Sequence, residues 1–508
     1  MSEMTIKYKY FILSGTTLYV ATFLFIYNIY HLMVKDALSF VAALLFFLVQ
    51  VVWFFIILNH AATLARLAYF KNPSVSNLAP SMLPKISIIV PIYEEPRGLI
   101  EEMVNALASL IYPREKLEVI VVDDSEAKTV ISYNYGFFRR LKNYGIDLKY
   151  IWRIQRKGYR GGALNEALKI AKSQYIIVLD IDHIPLPCMA WRLASVIMKT
   201  DYDIIMFPQE FKNWNHNSIT LASYIGYRFD YAFSRKGKTV TNSGFCVGTN
   251  WIGDRRKIVE AGGFDEESIV EDMATSMLKW HPHGLKIGLI DEVLAYGLVP
   301  DTIESFKKQQ YRWSLGAFKL FPKLLKNMRA LTFFQRFDYL FNIAWYLIGL
   351  TVIFSGIFPV LSVLGVDFLY VVSPLEYIIN VIVYTFLQIL LYSAPLIIVG
   401  ESVGRVFKGQ AIGTVVASSY TRAFIDAILG RKTRFEVTPK EVKEKSFKKL
   451  VKEVSVPFIL LYLNLLVLIF SISNPTWRNI ITSFWALYNL SWFITAMYSV
   501  AKDLFKQS

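Results

Sequence analysis

Apolar positions in this chain collect at its two ends, and the middle alternates short β-branched runs with amphipathic stretches. After a polar start carrying Lys7 and Lys9, an apolar run from about Phe11 to Val34 is long enough for a spanning helix of about 20 residues. It is too long for a secretory signal and lacks a small-residue cleavage site. His31, Lys35 and Asp36 make a turn. A second run, Ala37 to about Leu58, continues as helix toward Arg66, so residues 1–70 read as a hairpin of two membrane helices. Pro73, Pro80 and Pro84 break any helix in the linker that follows.

The texture then changes. Ile86 to Val90 reads as a buried strand, Leu99 to Leu110 as a helix, Leu117 to Val122 as a strand and Leu148 to Arg153 as a third. Gly161 to Lys172 reads as a helix, followed by the strand Tyr175 to Leu179. This alternation predicts a mostly parallel, doubly wound α/β sheet in a domain over residues 84–325. Functional groups in such sheets sit at the carboxyl ends of strands, where Asp123-Asp124 and Asp180-Ile181-Asp182 fall. Beyond about Pro322 the chain is apolar again. Helices near Phe337–Val360, Tyr377–Gly400, Val456–Ser471 and Ile480–Val500 make four spans within residues 326–508. The stretch 410–429 carries Arg422 and Asp426 and reads as an interfacial helix. The loop from Arg431 to Lys452 is rich in Lys and Arg, whereas the turns near Val366 and Asn474 carry almost none. The positive-inside rule therefore puts both termini, the α/β domain and the basic loop in the cytoplasm, with about six spans.

Composition adds three constraints. With 54% apolar and 19% charged residues, 508 residues are too apolar for a soluble protein. The net charge of +15 reads as cytoplasmic surface facing anionic lipid; no basic stripe with interleaved aromatics marks nucleic acid as a partner. Cys188 and Cys246 are the only cysteines, which fits a reducing compartment and no disulfide framework.

The candidate chemistry lies at the strand ends. Asp180 and Asp182 suit a hard divalent cation that bridges phosphate oxygens, with His183 completing or orienting the set; a polar turn is the plain alternative. Asp123 and Asp124 suit a nucleobase or ribose, or equally an Asx-turn. Tyr93 and Glu95 follow the first strand to the same edge. The loop holding Gly158, Arg160, Gly161 and Gly162 lets backbone and Arg160 approach phosphate, or is a flexible surface loop. Glu271-Asp272 opens a helix, where Asp272 is either a general base or a favourable cap. Gly244 to Asn250, small and polar, suits an acceptor wall. In Gln309-Gln310-Tyr311-Arg312-Trp313, helical spacing puts Gln309, Arg312 and Trp313 on one face: an amide, a guanidinium fork for diphosphate and an indole for a sugar ring. A membrane-surface helix would show the same pattern.

Asp, Asp-x-Asp, Asp and Gln-x-x-Arg-Trp in this order, on an α/β scaffold between membrane helices, resemble the processive family 2 glycosyltransferases, cellulose synthases above all; hyaluronan and chitin synthases share the layout. Asp180-Ile181-Asp182-His183-Ile184-Pro185 is similar to the cellulose synthase version. Val270-Glu271-Asp272 stands where that family usually has Thr-Glu-Asp. Phe435-Glu436-Val437-Thr438-Pro439-Lys440 matches its gating-loop motif. The resemblance implies a GT-A-like domain inserted in a membrane bundle. It implies Mg²⁺ or Mn²⁺ at Asp180, Asp182 and His183, and nucleoside contacts from Tyr93, Glu95, Asp124 and Asp123. Arg160, Asp180, Gln309 and Arg312 would then hold the donor, Asp272 act as base and Trp313 stack on the acceptor. Phe435, Val437, Thr438 and Lys440 would form the gating loop of residues 431–440. The implied reaction is inverting, processive transfer from a nucleotide-sugar donor, UDP-glucose first, to a β-linked polysaccharide acceptor exported through its own channel. The implied site is the plasma membrane, with membrane lipid as surroundings, homo-oligomers open, and no cyclic-dinucleotide-binding extension. The rival readings are an enzyme that adds one sugar to a membrane lipid, and a transporter or receptor with a nucleotide-binding domain.

Overall fold

A computed structural model describes residues 3–366, 368, 374–431 and 453–505. The gating-loop residues Phe435, Val437, Thr438 and Lys440 lie outside the described residues.

The central sheet has seven strands in the order Asp147–Trp152, Leu117–Asp123, Ile86–Ile92, Tyr175–Val178, Trp251–Asp254, Ile204–Met206, Ile287–Leu289. The first four are parallel, and Trp251–Asp254 runs antiparallel to both its neighbours. Side chains alternate between the faces of each strand, and both faces are covered, which explains the unbroken β-branched runs. Ile88, Val90, Val119, Val121 and Ile177 pack with Ile100, Met103 and Leu107 of the helix Arg97–Ala108. Ile89, Ile120, Val122, Ile176 and Val178 pack with Ala163, Leu164 and Ala167 of the helix Tyr159–Ile170. In this register Ile92 pairs with Asp123 and Ile89 pairs with Val178. Tyr93, Asp124 and Asp180 therefore emerge at one edge. A small sheet of Ile184–Pro185, Ala295–Gly297 and Glu210–Phe211 pins the chain just after Asp182.

Among the described residues, five helices are long and apolar enough to cross a membrane: Lys9–Tyr30, Ala37–Leu67, Phe333–Val363, Ser455–Ser473 and Trp477–Asp503. A further helix, Pro374–Ile398, lies where the second of the four expected C-terminal helices falls. The interfacial stretch expected over 410–429 begins earlier and is two helices, Val403–Gly413 and Ala417–Ile428, joined by a 3-10 turn at Thr414–Val416. The second docks on the helix Ile303–Asn327, where the Tyr311 hydroxyl donates to Asp426 and that of Tyr420 to Gln310, both at 2.6 Å.

One buried ion pair joins two of these apolar helices and reaches the α/β domain through Ser243. Arg66 donates to Asp338 at 2.6 and 3.1 Å, and the Asp338 carboxylate also accepts from Asn59 at 2.8 Å and from Ser243. Removing one partner of such a pair strands a buried charge, at about 3–5 kcal/mol.

Candidate active site

The two neighbouring aspartates at the end of Leu117–Asp123 have different surroundings. Asp123 is fully buried and accepts from the Ser125 amide at 2.8 Å, from Asn134 at 3.0 Å and from the Tyr150 hydroxyl. Its carboxylate faces the fold. Asp124 lines the cavity and is gripped by Arg153 through two hydrogen bonds, at 2.6 and 2.5 Å. Arg156 lies 3.6 Å above the Tyr93 ring and 3.5 Å from Asp124, so Tyr93 and Asp124 share one cationic neighbour. Glu95 lines the same wall.

The glycine-rich segment is the start of the helix Tyr159–Ile170. A Cβ on Gly161 would sit 2.0 Å from the Asp265 carbonyl oxygen, and one on Gly162 would sit 2.1 Å from that of Lys157. These glycines serve close backbone packing, which aims Arg160 inward. Its Nη2 donates to Asp180 at 2.7 Å and its Nη1 to Glu271 at 2.6 Å. Burial works against the charge on Arg160; the carboxylates of Asp180 and Glu271 outweigh it and hold the guanidinium more firmly protonated than usual.

Asp180 and Asp182 both line the cavity. His183 lines the same cavity. Its ring is buried edge-on to Phe211, with centroids 5.9 Å apart, and packs on Gly297, where a Cβ would come within 2.5 Å of it. Among the described residues no group of three His, Cys, Asp or Glu side chains gathers for a metal. Two carboxylates at one strand end still suit Mg²⁺ or Mn²⁺ together with diphosphate oxygens and water, since Mg²⁺ is commonly held in that way.

Asp272 is the second residue of the helix Glu271–Thr275, and the Met273 amide donates to it at 2.8 Å. Burial, followed by the charge of Glu271, pushes its carboxyl up to about 6. Gln309, Arg312 and Trp313 share the cavity face of Ile303–Asn327, as helical spacing predicts. Burial holds the Arg312 guanidinium below its ordinary value, against the pull of Glu271 and Asp180. Trp313 stands edge-on to Tyr227 at 6.1 Å. Gly316, one turn on, lets this helix press on the segment before Asp272: a Cβ there would meet a Val270 methyl at 2.6 Å. Val270, the departure from Thr-Glu-Asp, is thus a packing residue.

One cavity of about 1190 Å³ joins these groups to the membrane helices. It runs from Tyr93 past Asp182, Asp272 and Trp313, then between helices to Met33, Phe368 and Trp477. Sequence reasoning missed Arg153, Arg156, Tyr227, Asp230 and Arg235, none of which belongs to a spaced motif.

An acidic strand edge, a carboxylate of raised pKa and a guanidinium–indole face lie together on a GT-A-like sheet. Residues 87–261 match the profile of glycosyl transferase family 2, and residues 175–394 match that of glycosyl transferase family group 2. The chain carries a family 2 glycosyltransferase domain. It is similar to glucomannan 4-beta-mannosyltransferase 1 of Oryza sativa subsp. japonica, 26% identical over 276 residues, which is 52% of each chain. Glucomannan 4-beta-mannosyltransferase 2 of Arabidopsis thaliana is 27% identical over 257 residues, 49% of this chain and 48% of its own. The matched region is thus about half the length of these curated relatives. The fold is that of a mannosyltransferase from Pyrobaculum calidifontis solved in complex with GDP-Man and Mn²⁺. That likeness has a TM-score of 0.52 and 15% identity and covers 78% of this chain and all of the other.

Proposed function

We propose that this protein is a processive, inverting polysaccharide synthase that adds hexose from a nucleotide-sugar donor to a β-linked chain and exports the product through its own membrane helices. The observation that carries this reading is the continuity of the cavity from Asp272 to the far ends of those helices. An enzyme that adds one sugar to a lipid needs no such passage.

In this reading the nucleoside lies against Tyr93, Glu95 and Asp124, and Asp123 supports Asp124 from within. Asp180 and Asp182 would hold a divalent cation, which when bound would supply positive charge for the diphosphate. Arg160, Gln309 and Arg312 flank the same diphosphate, and Trp313 stacks on the acceptor sugar. Asp272 takes the proton of the acceptor hydroxyl as its oxygen bonds to the anomeric carbon. The bond from that carbon to the diphosphate breaks, and the nucleoside diphosphate leaves with the electron pair. One displacement inverts the centre, so an α-linked donor gives a β-linked product. The domain is assigned to the cytoplasm and the helices to the plasma membrane, which places donor and export on opposite sides.

UDP-glucose is the donor that the cellulose synthase-like motifs favour. GDP-mannose is the second reading, favoured by the names of the similar mannosyltransferases. The test is purified protein with each donor, with and without Mg²⁺ or Mn²⁺, scored for high-molecular-weight product. Polymer from one donor is expected. A monoglycosylated lipid as the sole product would replace this reading with the single-sugar one.

A further inference from the structure

The reaction described above leaves the cavity carboxylate of Asp230 without a task. The helix Ser218–Phe229 lays Ser223, Gly226 and Tyr227 along the cavity, and the chain continues as a π-helical turn, Asp230–Arg235. The change of helical phase brings Asp230, Ser234 and Arg235 onto the same wall. Arg235 donates through Nε to Asp230 Oδ2 at 2.6 Å and through Nη1 to the Phe245 carbonyl at 2.8 Å. The Arg235 side chain is 7% exposed and that of Asp230 is 36% exposed, so the cation is buried and the anion opens on the cavity. Among the described residues, Oδ1 of Asp230 takes no hydrogen bond.

Its position is defined by its neighbours. Tyr227, one turn earlier, meets Trp313. Phe229, immediately before Asp230, stacks on Tyr392 of the helix Pro374–Ile398, with centroids 4.2 Å apart and planes 5° apart. Asp230 thus stands where the charged end of the cavity passes into its membrane part. An ion pair repays the cost of its burial only where its remaining lone pairs and protons are satisfied by hydrogen bonds. This one leaves a carboxylate oxygen facing the passage, fixed in orientation by Arg235. A carboxylate only accepts hydrogen bonds, and sugar hydroxyls donate them.

We propose that Asp230 binds hydroxyl groups of the acceptor chain near its growing end, on the membrane side of Trp313, and so orients that end toward Asp272. The proposal rests on the polysaccharide synthase reading. Trp313 offers a face to the ring and Asp230 takes its edge. An acceptor without the matching hydroxyl leaves the carboxylate unpaired, which makes Asp230 a specificity-determining residue.

The test uses the full chain purified in detergent, with β-1,4-linked gluco- and manno-tetrasaccharides as probes. Binding is followed by tryptophan fluorescence and extension by labelled donor. Asp230→Ala is expected to weaken binding of the preferred tetrasaccharide and raise its KM about 10- to 100-fold, the scale of a lost charge-assisted hydrogen bond. Donor KM and the slow transfer of donor sugar to water are expected to stay at wild-type values. That background rate also shows that the variant is folded. Asp230→Asn, which keeps an acceptor oxygen, is expected to fall between. Equal tetrasaccharide binding by wild type and Asp230→Ala overturns the assignment and leaves the polymerising reading intact. Parallel changes in donor KM and donor hydrolysis in both variants would make the pair structural and also overturn it. A wild type that neither binds nor extends either tetrasaccharide overturns the polymerising reading, and the role of Asp230 with it.

Discussion

The two halves of the cavity are built from different chemistry. At the sheet edge, charged groups hold one another: Arg153 grips Asp124, and Arg160 spans Asp180 and Glu271. Among the described lining residues from the membrane helices, Arg478 is the one formal charge. There the helix Trp477–Phe505 turns Trp485, Tyr488, Asn489 and Trp492 inward at spacings of 3, 4 and 7 residues, one helical face. The other polar groups on this side are neutral. Asn489 donates to the Ser355 carbonyl at 2.8 Å and to Asn464 at 3.1 Å, and Ser362 pairs with Thr482 at 2.8 Å. A diphosphate calls for fixed charge. In the proposed function, a neutral sugar chain that must keep moving calls for many weak faces, each too weak to stop it.

The largest expected effect tests the charged half. Asp272→Asn keeps the shape and removes the proposed base. Transfer is expected to fall about 10²- to 10⁴-fold while nucleotide binding stays unchanged; a wild-type rate would remove Asp272 from the reaction. The same group sets the pH profile. Because its carboxyl is pushed up to about 6, transfer should rise with pH below that value and level off above it. Stability moves the other way. A carboxyl raised from 3.8 to about 6 favours the fold when protonated, so that contribution is lost as pH rises through this window. Asp272→Asn is therefore expected to resist heat better than wild type above pH 6, with no difference below the unfolded value.

Metal removal comes next. Chelation, or Asp182→Ala, is expected to lower transfer by at least 10²-fold, the scale of several kcal/mol of lost charge stabilisation. Restoration by Mn²⁺ or Mg²⁺ should follow chelation and not the substitution. Full activity in excess chelator would break the assignment of the strand-end carboxylates.

The smallest effect tests the membrane half. Trp485→Ala removes one ring from the passage. Polymer yield is expected to fall about 2- to 10-fold, the scale of one stacking contact, with donor hydrolysis untouched. A loss as deep as that of Asp272→Asn would mean that the two halves are not separate in function.

Local pattern alone determined a good deal. The β-branched runs, the helical face of Gln309, Arg312 and Trp313, and the apolar segments at both ends are periodic signals carried by neighbouring residues, and the structure has those elements at those places. Patterns over two to five residues also named the strand-end carboxylates and Asp272. Their surroundings were a different matter. Asp123 and Asp124 are adjacent and chemically identical, and only Asn134, Tyr150 and Arg153, brought in from 10 to 30 residues away, turn one into the fold and the other to the cavity. His183 reads as a ligand in the sequence, and its packing against Phe211 and Gly297 is supplied by the fold alone. The π-helical turn that presents Asp230 leaves no spacing signature, because a change of helical phase depends on packing against distant helices and not on local propensity. Which carboxylates face the cavity, and which cation answers each, is decided by contacts between residues far apart in the chain, and only tertiary packing decides those.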